Sequence, residues 1–305
     1  MSTRSALRDR LELLLARVVF FGLAWVPRSV VRGLASILAR LAYWATPVWR
    51  RVGRRNLEIA FPELVPAQRE AILRGSYQNL GRVILALART RRLNPANIGD
   101  WIEYDGLDHF LEAEKLGCGT IFLTAHLGNW ELSSTAHALY GHPMDVVVRR
   151  LDNPVLDRFV RERRALHGNG VIEKTNSAGK ILRALRANRS VGILADQNTA
   201  GDDGLFVDFF GTPASATKGV ALLAAHSGAA VIPGFAFWLQ DEQRYSLKFY
   251  PALEMASTGD RAADLVENTQ RCQAAIEAAI REHPDQWLWI HRRWKRRPEG
   301  EPPIY

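Results

Sequence analysis

The 305-residue sequence predicts an α/β fold: a mostly parallel central sheet flanked by helices, with a helical N-terminal extension. Three observations carry this. From Gly106 onward, short apolar runs alternate with stretches of helical periodicity, the pattern of strands covered on both faces by crossover helices. The composition, 47% hydrophobic and 24% charged, excludes a mainly disordered or low-complexity chain. The basic excess sits at one end: residues 1–55 hold eleven arginines against Asp9 and Glu12, a net of +9, whereas the remaining 250 residues carry a net of −1. A near-neutral body argues against a nucleic-acid partner. A basic, apolar N-terminal segment points to an anionic lipid surface.

The elements follow in order. Leu11–Val26 reads LELLLARVVFFGLAWV; its longest uncharged run, Val18–Val26, has nine residues and stops at Pro27. Extended back over Arg17 to Leu13 it reaches fourteen residues, about 21 Å as a helix. A span needs about 20 apolar residues, so the stretch is too short to cross a bilayer comfortably. Glu12 and Arg17 also interrupt the apolar region of any signal peptide. Val30–Trp49 is amphipathic and runs into Arg50, Arg51, Arg54 and Arg55, and Trp beside Arg is the composition of an interfacial segment. Residues 1–60 are expected to form this membrane-associating segment and residues 61–305 a single α/β domain. Residues 66–92 have helical spacing of Ile72, Leu73, Leu80, Val83, Ile84 and Leu87. Strands are expected at Thr120–Thr124, Met144–Val148, Val191–Ala195, Val231–Leu239 and Tyr245–Tyr250. Helices are expected at Leu107–Leu116, Asn129–Tyr140, Pro154–His167, Ala178–Ala187, Thr217–Ser227 and Arg261–Glu282. Pro233 marks its strand as an edge or a bulge. Cys118 and Cys272 are far apart and in no metal-ligand spacing, which fits a reducing compartment and no Cys-based zinc site.

The chemistry-bearing residues cluster after strands, where α/β sheets build their sites. Thr124–Glu131 reads TAHLGNWE, placing His126 in a strand-to-helix turn, Gly128 at its bend and Asn129 at the helix cap. Glu131 falls in the first helical turn, from which its carboxylate can point back to the imidazole. A carboxylate on one nitrogen holds one tautomer and leaves the other nitrogen as a general base. The alternative for Glu131 is a residue favoured there by the helix dipole. Arg149, with Arg150, ends the next strand and can reach a phosphate, a carboxylate or an oxyanion, or simply cap the strand at the surface. Asp196 follows the strand Val191–Ala195; it could be a helix-cap or loop acid, but its position in line with His126 and Arg149 favours the site, where it could hold Arg149. Phe209, Phe210 and Gly211, before Thr212-Pro213, suggest an apolar wall that turns sharply, with Phe206 nearby, or else a core pair. The ending WLWIHRRWKRRPEG alternates aromatics and bases, and Arg292, Arg293, Lys295, Arg296 and Arg297 suit an anionic headgroup or an acidic partner protein. No P-loop, G-x-G-x-x-G, H-E-x-x-H or G-x-S-x-G is present.

Together, H-x4-E at His126–Glu131, R-x-x-D-N-P at Arg149–Pro154, Asp196, the Phe209-Phe210-Gly211 turn and the C-terminal signature resemble the bacterial lipid A biosynthesis (late) acyltransferases of lauroyl- or myristoyltransferase type, within the H-x4-D/E glycerolipid acyltransferase superfamily. The resemblance runs from about Asp100 to the C terminus and is weaker in the N-terminal segment. Arg149-Arg150 departs from the Arg-Pro common in that family. The resemblance implies a glycerol-3-phosphate acyltransferase-like fold and an O-acyltransferase of the bacterial inner membrane, its site facing the cytoplasm. It implies a co-substrate, acyl carrier protein or coenzyme A thioester, with no further cofactor and no metal. The acceptor would be a hydroxyl of a lipid A precursor such as Kdo2-lipid IVA. By position it makes His126 and Glu131 the catalytic pair. Arg149, Asp196, Asn129, Phe209, Phe210, Gly211, Arg292 and Arg293 are then active-site or substrate-binding residues. Another glycolipid acceptor, such as a mannosylated phosphatidylinositol, and a thioesterase remain the alternatives.

Overall fold

The computed structural model describes residues 6–305; residues 1–5 of the expected N-terminal segment lie outside the described residues. The chain opens with α1 (Ala6–Trp25), α2 (Arg28–Ala45) and α3 (Pro47–Ala60). Val30–Trp49, expected as one stretch, is two helices: Pro47 lacks an amide hydrogen and begins the next helix instead of continuing the last. Among the described residues no helix is long and apolar enough to cross a membrane. α4 (Pro66–Arg89) packs beneath these helices. Its last residue and the turn after it hold the carbonyls at and just past the end of α1: Arg89 donates to Leu23 O and Val26 O, and Arg92 to Ala24 O (2.7 Å). Cations thus satisfy acceptors that a helix end leaves open.

The sheet-bearing part runs β1 (Ile102–Asp105), α5 (Leu107–Glu114), β2 (Thr120–Thr124), α6 (Trp130–Leu139), β3 (Met144–Val148), α7 (Pro154–Arg164), β4 (Gly170–Glu173), α8 (Ala178–Arg186) and β5 (Ser190–Leu194). It continues with a hairpin, β6 (Gly204–Phe209) and β7 (Thr212–Thr217), then α9 (Gly219–Ser227), β8 (Ala230–Leu239), β9 (Arg244–Phe249) and α10 (Arg261–Glu282). The main sheet has the order β1-β9-β8-β2-β5-β3-β4 and is parallel except where β8 meets β9. Strand alternation sorts the core. Ile121 and Leu123 of β2 face the layer of α8, α9 and α10, and Phe122 faces the layer of α5 and α6.

Two expectations change, and two strands were not expected. β8 is an interior strand, not an edge; Pro233 is the last residue paired with β2, and antiparallel pairing with β9 starts at Gly234. The proline therefore sits where the strand changes partners. The helix expected at Thr217–Ser227 starts at Gly219, because Thr212–Thr217 pairs with Gly204–Phe209. β1 and β4 are strands of four residues, too short for a periodic signal.

Candidate active site

β2 and β5 are parallel neighbours with Thr124 opposite Leu194, and the Ala195 amide donates to Thr124 O (3.0 Å). Two residues further along each chain stand His126 and Asp196, so strand register brings them together. The His126 backbone amide donates to Asp196 Oδ2 (3.0 Å), and Nδ1 lies 2.9 Å from Oδ1. The Trp287 indole donates to Oδ2 (2.8 Å). Asp196 is 1% exposed. Burial by itself raises its pKa, but the adjacent imidazole and these hydrogen bonds outweigh burial and hold it at about 2. An ionised carboxylate only accepts, so Nδ1 carries the proton and Nε2 the lone pair. The ring is 24% exposed, with the Trp130 ring edge-on at 5.1 Å.

The turn around His126 is held from three directions. Gly128 has φ +60°, and a Cβ there would fall 2.0 Å from Ala236 O of β8. Asn79 of α4 donates to Gly128 O (2.8 Å). The C-terminal segment supplies the third side: Leu288 N–H donates to His126 O (3.0 Å), and Gly128 N–H to Gln286 O (3.1 Å). Asn129 is fully buried and caps α6, accepting from the Leu132 amide (3.1 Å). Its place is that of a cap, not of a substrate contact.

Glu131 does not hold the imidazole, contrary to expectation. Its carboxylate forms a bidentate pair with Arg164 at the end of α7, Nε donating to Oε2 at 3.0 Å. In the first turn of α6 it faces α7, while the strand beside β2 provides the acid for His126. Burial disfavours the Arg164 cation, but the hydrogen bonds it donates to Glu131 and the charges of Glu131 and Asp157 outweigh it and raise its pKa. Arg149 follows β3 at the same sheet edge, 85% exposed and 4.0 Å from Asp152. The expected Arg149–Asp196 contact is absent because Asp196 is committed to His126 and Trp287.

Phe209 and Phe210 do not line an open wall. Both are buried, Phe209 against Trp287 and Trp294, Phe210 against Phe61 and Trp289. Phe210 (φ +55°) and Gly211 (φ +70°) form the two-residue hairpin loop between β6 and β7, so Gly211 serves a turn. Arg293 is fully buried, donating to Ser215 O (2.7 Å) and Gln273 Oε1 (2.9 Å), and burial pushes its pKa down to about 10. It cannot meet a headgroup. Arg296 and Arg297 reach Gly201 O and Pro213 O, strapping the C terminus over the hairpin; Arg292 and Lys295 are exposed.

Sequence reasoning passed over Trp287, Arg164, His291 and the polar residues beneath the site. Asn56 donates to Trp289 O (2.6 Å) and His291 O (2.7 Å), and Ser76 to Trp287 O (2.5 Å). The Asn198 amide donates to His291 Nε2 (3.2 Å), and burial pushes that imidazole down to about 4. One signal was present: Ser76 and Asn79 interrupt the apolar stripe of α4 three residues apart, and buried polar groups need partners.

The sequence profile described as bacterial lipid A biosynthesis acyltransferase matches residues 4–296. The chain is 27% identical to the lipid A biosynthesis palmitoleoyltransferase of Escherichia coli (strain K12), over 87% of this chain and 86% of that one. It is 26% identical to the lauroyltransferase of the same strain, over 93% and 92%. To its myristoyltransferase it is 24% identical, over 91% and 88%.

Proposed function

Since the chain belongs to the bacterial lipid A biosynthesis acyltransferase family, we propose that it moves a fatty acyl group from an acyl carrier protein or coenzyme A thioester to a hydroxyl of a lipid A precursor such as Kdo2-lipid IVA, with His126 as general base. The observation that carries the mechanism is the His126–Asp196 contact at the carboxyl edge of the sheet. With Nδ1–H committed to the carboxylate, Nε2 takes the proton from the acceptor hydroxyl as that oxygen attacks the thioester carbonyl. The C–O bond forms, the C–S bond breaks, and the imidazolium returns its proton to the departing thiolate. Asp196 fixes the ring and stabilises the imidazolium. Such proton transfer contributes roughly 10²–10⁴-fold. The Glu131–Arg164 pair anchors α7 to the first turn of α6 and so keeps the His126 turn in place. Arg149, exposed at the same edge, suits an anionic substituent of the acceptor.

The N-terminal helices support attachment to the cytoplasmic face of the inner membrane. Leu11, Leu14, Leu15, Val18, Phe21 and Trp25 of α1 are exposed, as are Ile37, Leu38, Leu41 and Trp44 of α2. Apolar surface of that extent beside arginines suits an interface.

The test incubates detergent-solubilised protein with Kdo2-lipid IVA and acyl thioesters and weighs the lipid. The expected result is a gain of one acyl chain, reduced at least a hundredfold in a folded His126→Ala variant. Undiminished turnover in that variant would remove His126 from the chemistry. Thioester hydrolysis without lipid gain would favour a thioesterase.

A further inference from the structure

A cavity of about 250 Å³ lies between α2 and α4, beside the start of α3, and the chemistry above makes no use of it. A water takes about 30 Å³, so the space admits a phosphate group with bound water. Arg40, Tyr43 and Trp44 of α2 line it, with Arg74 and Tyr77 of α4. Arg50 of α3 reaches the same wall: its guanidinium lies 4.8 Å from the centre of the Tyr43 ring and 5.2 Å from that of Trp44. The Arg74 guanidinium also meets the Tyr43 ring, at 5.6 Å. Two like charges thus share one ring, and Arg40 adds a third to the lining.

The protein does not balance these charges. Glu70 stands against this wall, but Arg54 takes both its oxygens, Nε donating to Oε2 at 2.8 Å and Nη2 to Oε1 at 3.1 Å, and the Tyr43 hydroxyl donates to it as well. Arg74 is left 4.0 Å from that carboxylate, beyond hydrogen-bond reach. Among the described residues the Arg40 and Arg50 guanidiniums have no ion pair or hydrogen bond, and Arg50 Nε is buried without a partner. The first turn of α3 holds no acid, and Arg50 there is the reverse of what the helix dipole favours. An anion bound at Arg50 removes that conflict.

We infer that this cavity binds the phosphate headgroup of an anionic membrane phospholipid, with Arg40, Arg50 and Arg74 as its cations. The inference rests on the membrane attachment proposed above and names the lipid that α2 would hold. Guanidiniums donate to phosphate oxygens in charge-assisted hydrogen bonds, and stacking on Tyr43 and Trp44 fixes where they point. Ile37, Arg40, Leu41 and Trp44 fall on one face of α2, and its apolar members are exposed. A phosphate seated in the cavity therefore lays its acyl chains along Ile37, Leu41 and Trp44. Free phosphate would leave that apolar face uncovered. An acidic protein would have to bring a matching apolar face, whereas a phospholipid carries charge and chains in one molecule.

The test holds the full chain in non-ionic detergent and counts retained lipid by native mass spectrometry, with dipalmitoyl phosphatidylglycerol as probe and the choline lipid of the same chains as control. One phosphatidylglycerol per chain is expected, at a concentration where the choline lipid does not bind. Arg40→Gln/Arg74→Gln should weaken retention about tenfold or more, the loss for one hydrogen bond to a charged group, and Arg40→Lys/Arg74→Lys should recover part of it. Arg10→Gln/Arg51→Gln removes as much charge from exposed positions of α1 and α3 and should leave retention unchanged. Equal retention of the two lipids, or wild-type retention in Arg40→Gln/Arg74→Gln, overturns the site. Displacement of the lipid by an equal concentration of inorganic phosphate overturns it too, in favour of free phosphate. A KM in Arg40→Gln/Arg74→Gln raised for the lipid acceptor, or for a carrier-protein thioester alone, overturns it in favour of the acceptor or of an acidic protein. If vesicle binding proves independent of lipid charge while one phosphatidylglycerol is held through Arg40 and Arg74, the site stands and the basic contribution to attachment fails.

Discussion

A carboxylate cut off from water survives as an anion only where donors replace the water it has lost. Asp196 has three: the His126 amide, the His126 ring and the Trp287 indole. Asp196→Asn keeps the shape but offers Nδ1 an amide in place of a charge, freeing the ring to take the wrong tautomer. The expected loss in kcat is about a hundredfold or more, with the fold retained. The same residue governs acid stability. Its folded pKa of about 2 lies below its ordinary 3.8, so its contribution is complete above about pH 4 and is lost as the pH falls towards 2. The size is on the order of 2 kcal/mol. Urea midpoints measured from pH 5 to pH 2 should fall less steeply in Asp196→Asn; equal slopes would show that the acid lability lies elsewhere.

α7 links the N-terminal helices to the site. Asn153 caps it, accepting from the Val155 and Leu156 amides at 3.0 Å. The same side chain donates to Asp9 O (3.1 Å) and Glu12 Oε2 (2.9 Å) of α1. Phe20 of α1 meets Phe159 edge-on at 5.3 Å, and the Arg163 guanidinium stacks on both rings. One residue later, Arg164 grips Glu131. Asn153→Ala should therefore destabilise the protein by about 1–2 kcal/mol, as lost helix caps do, and slow acyl transfer through a loosened α7. A change in unfolding free energy below about 0.5 kcal/mol would mean that the cap and the α1 contact carry little.

For the molecule as a whole, charge and apolar surface coincide. The arginines of residues 6–55 share α1–α3 with the exposed aliphatic residues, and Arg92 and Arg50 stack on Trp25 and Trp44. Co-sedimentation should show binding to vesicles containing anionic lipid, weakening as salt rises. A Leu14→Glu/Leu41→Glu variant should bind several-fold less. Equal binding to neutral and anionic vesicles would exclude the basic contribution. No residue of α1–α3 needs to cross the bilayer for this.

The sequence by itself determined the α/β class, most of the strands and helices, and the presence of His126 and Asp196 after strands. Those features are local, written in periodicity, Gly128, the Asn129 cap and the ends of apolar runs. The Phe210-Gly211 turn was legible as a sharp turn, but not as the loop of a hairpin. Only the tertiary structure decided which acid serves which base. Glu131, five residues from His126, goes to Arg164, while Asp196, seventy residues away, takes the imidazole through the pairing of β2 with β5. It likewise decided that Arg293 is buried and Arg292 exposed, since the fate of adjacent arginines depends on which carbonyls the returning chain meets. Side-chain partnership over such separations is set by strand order and helix docking, and neither leaves a mark within a short window of sequence.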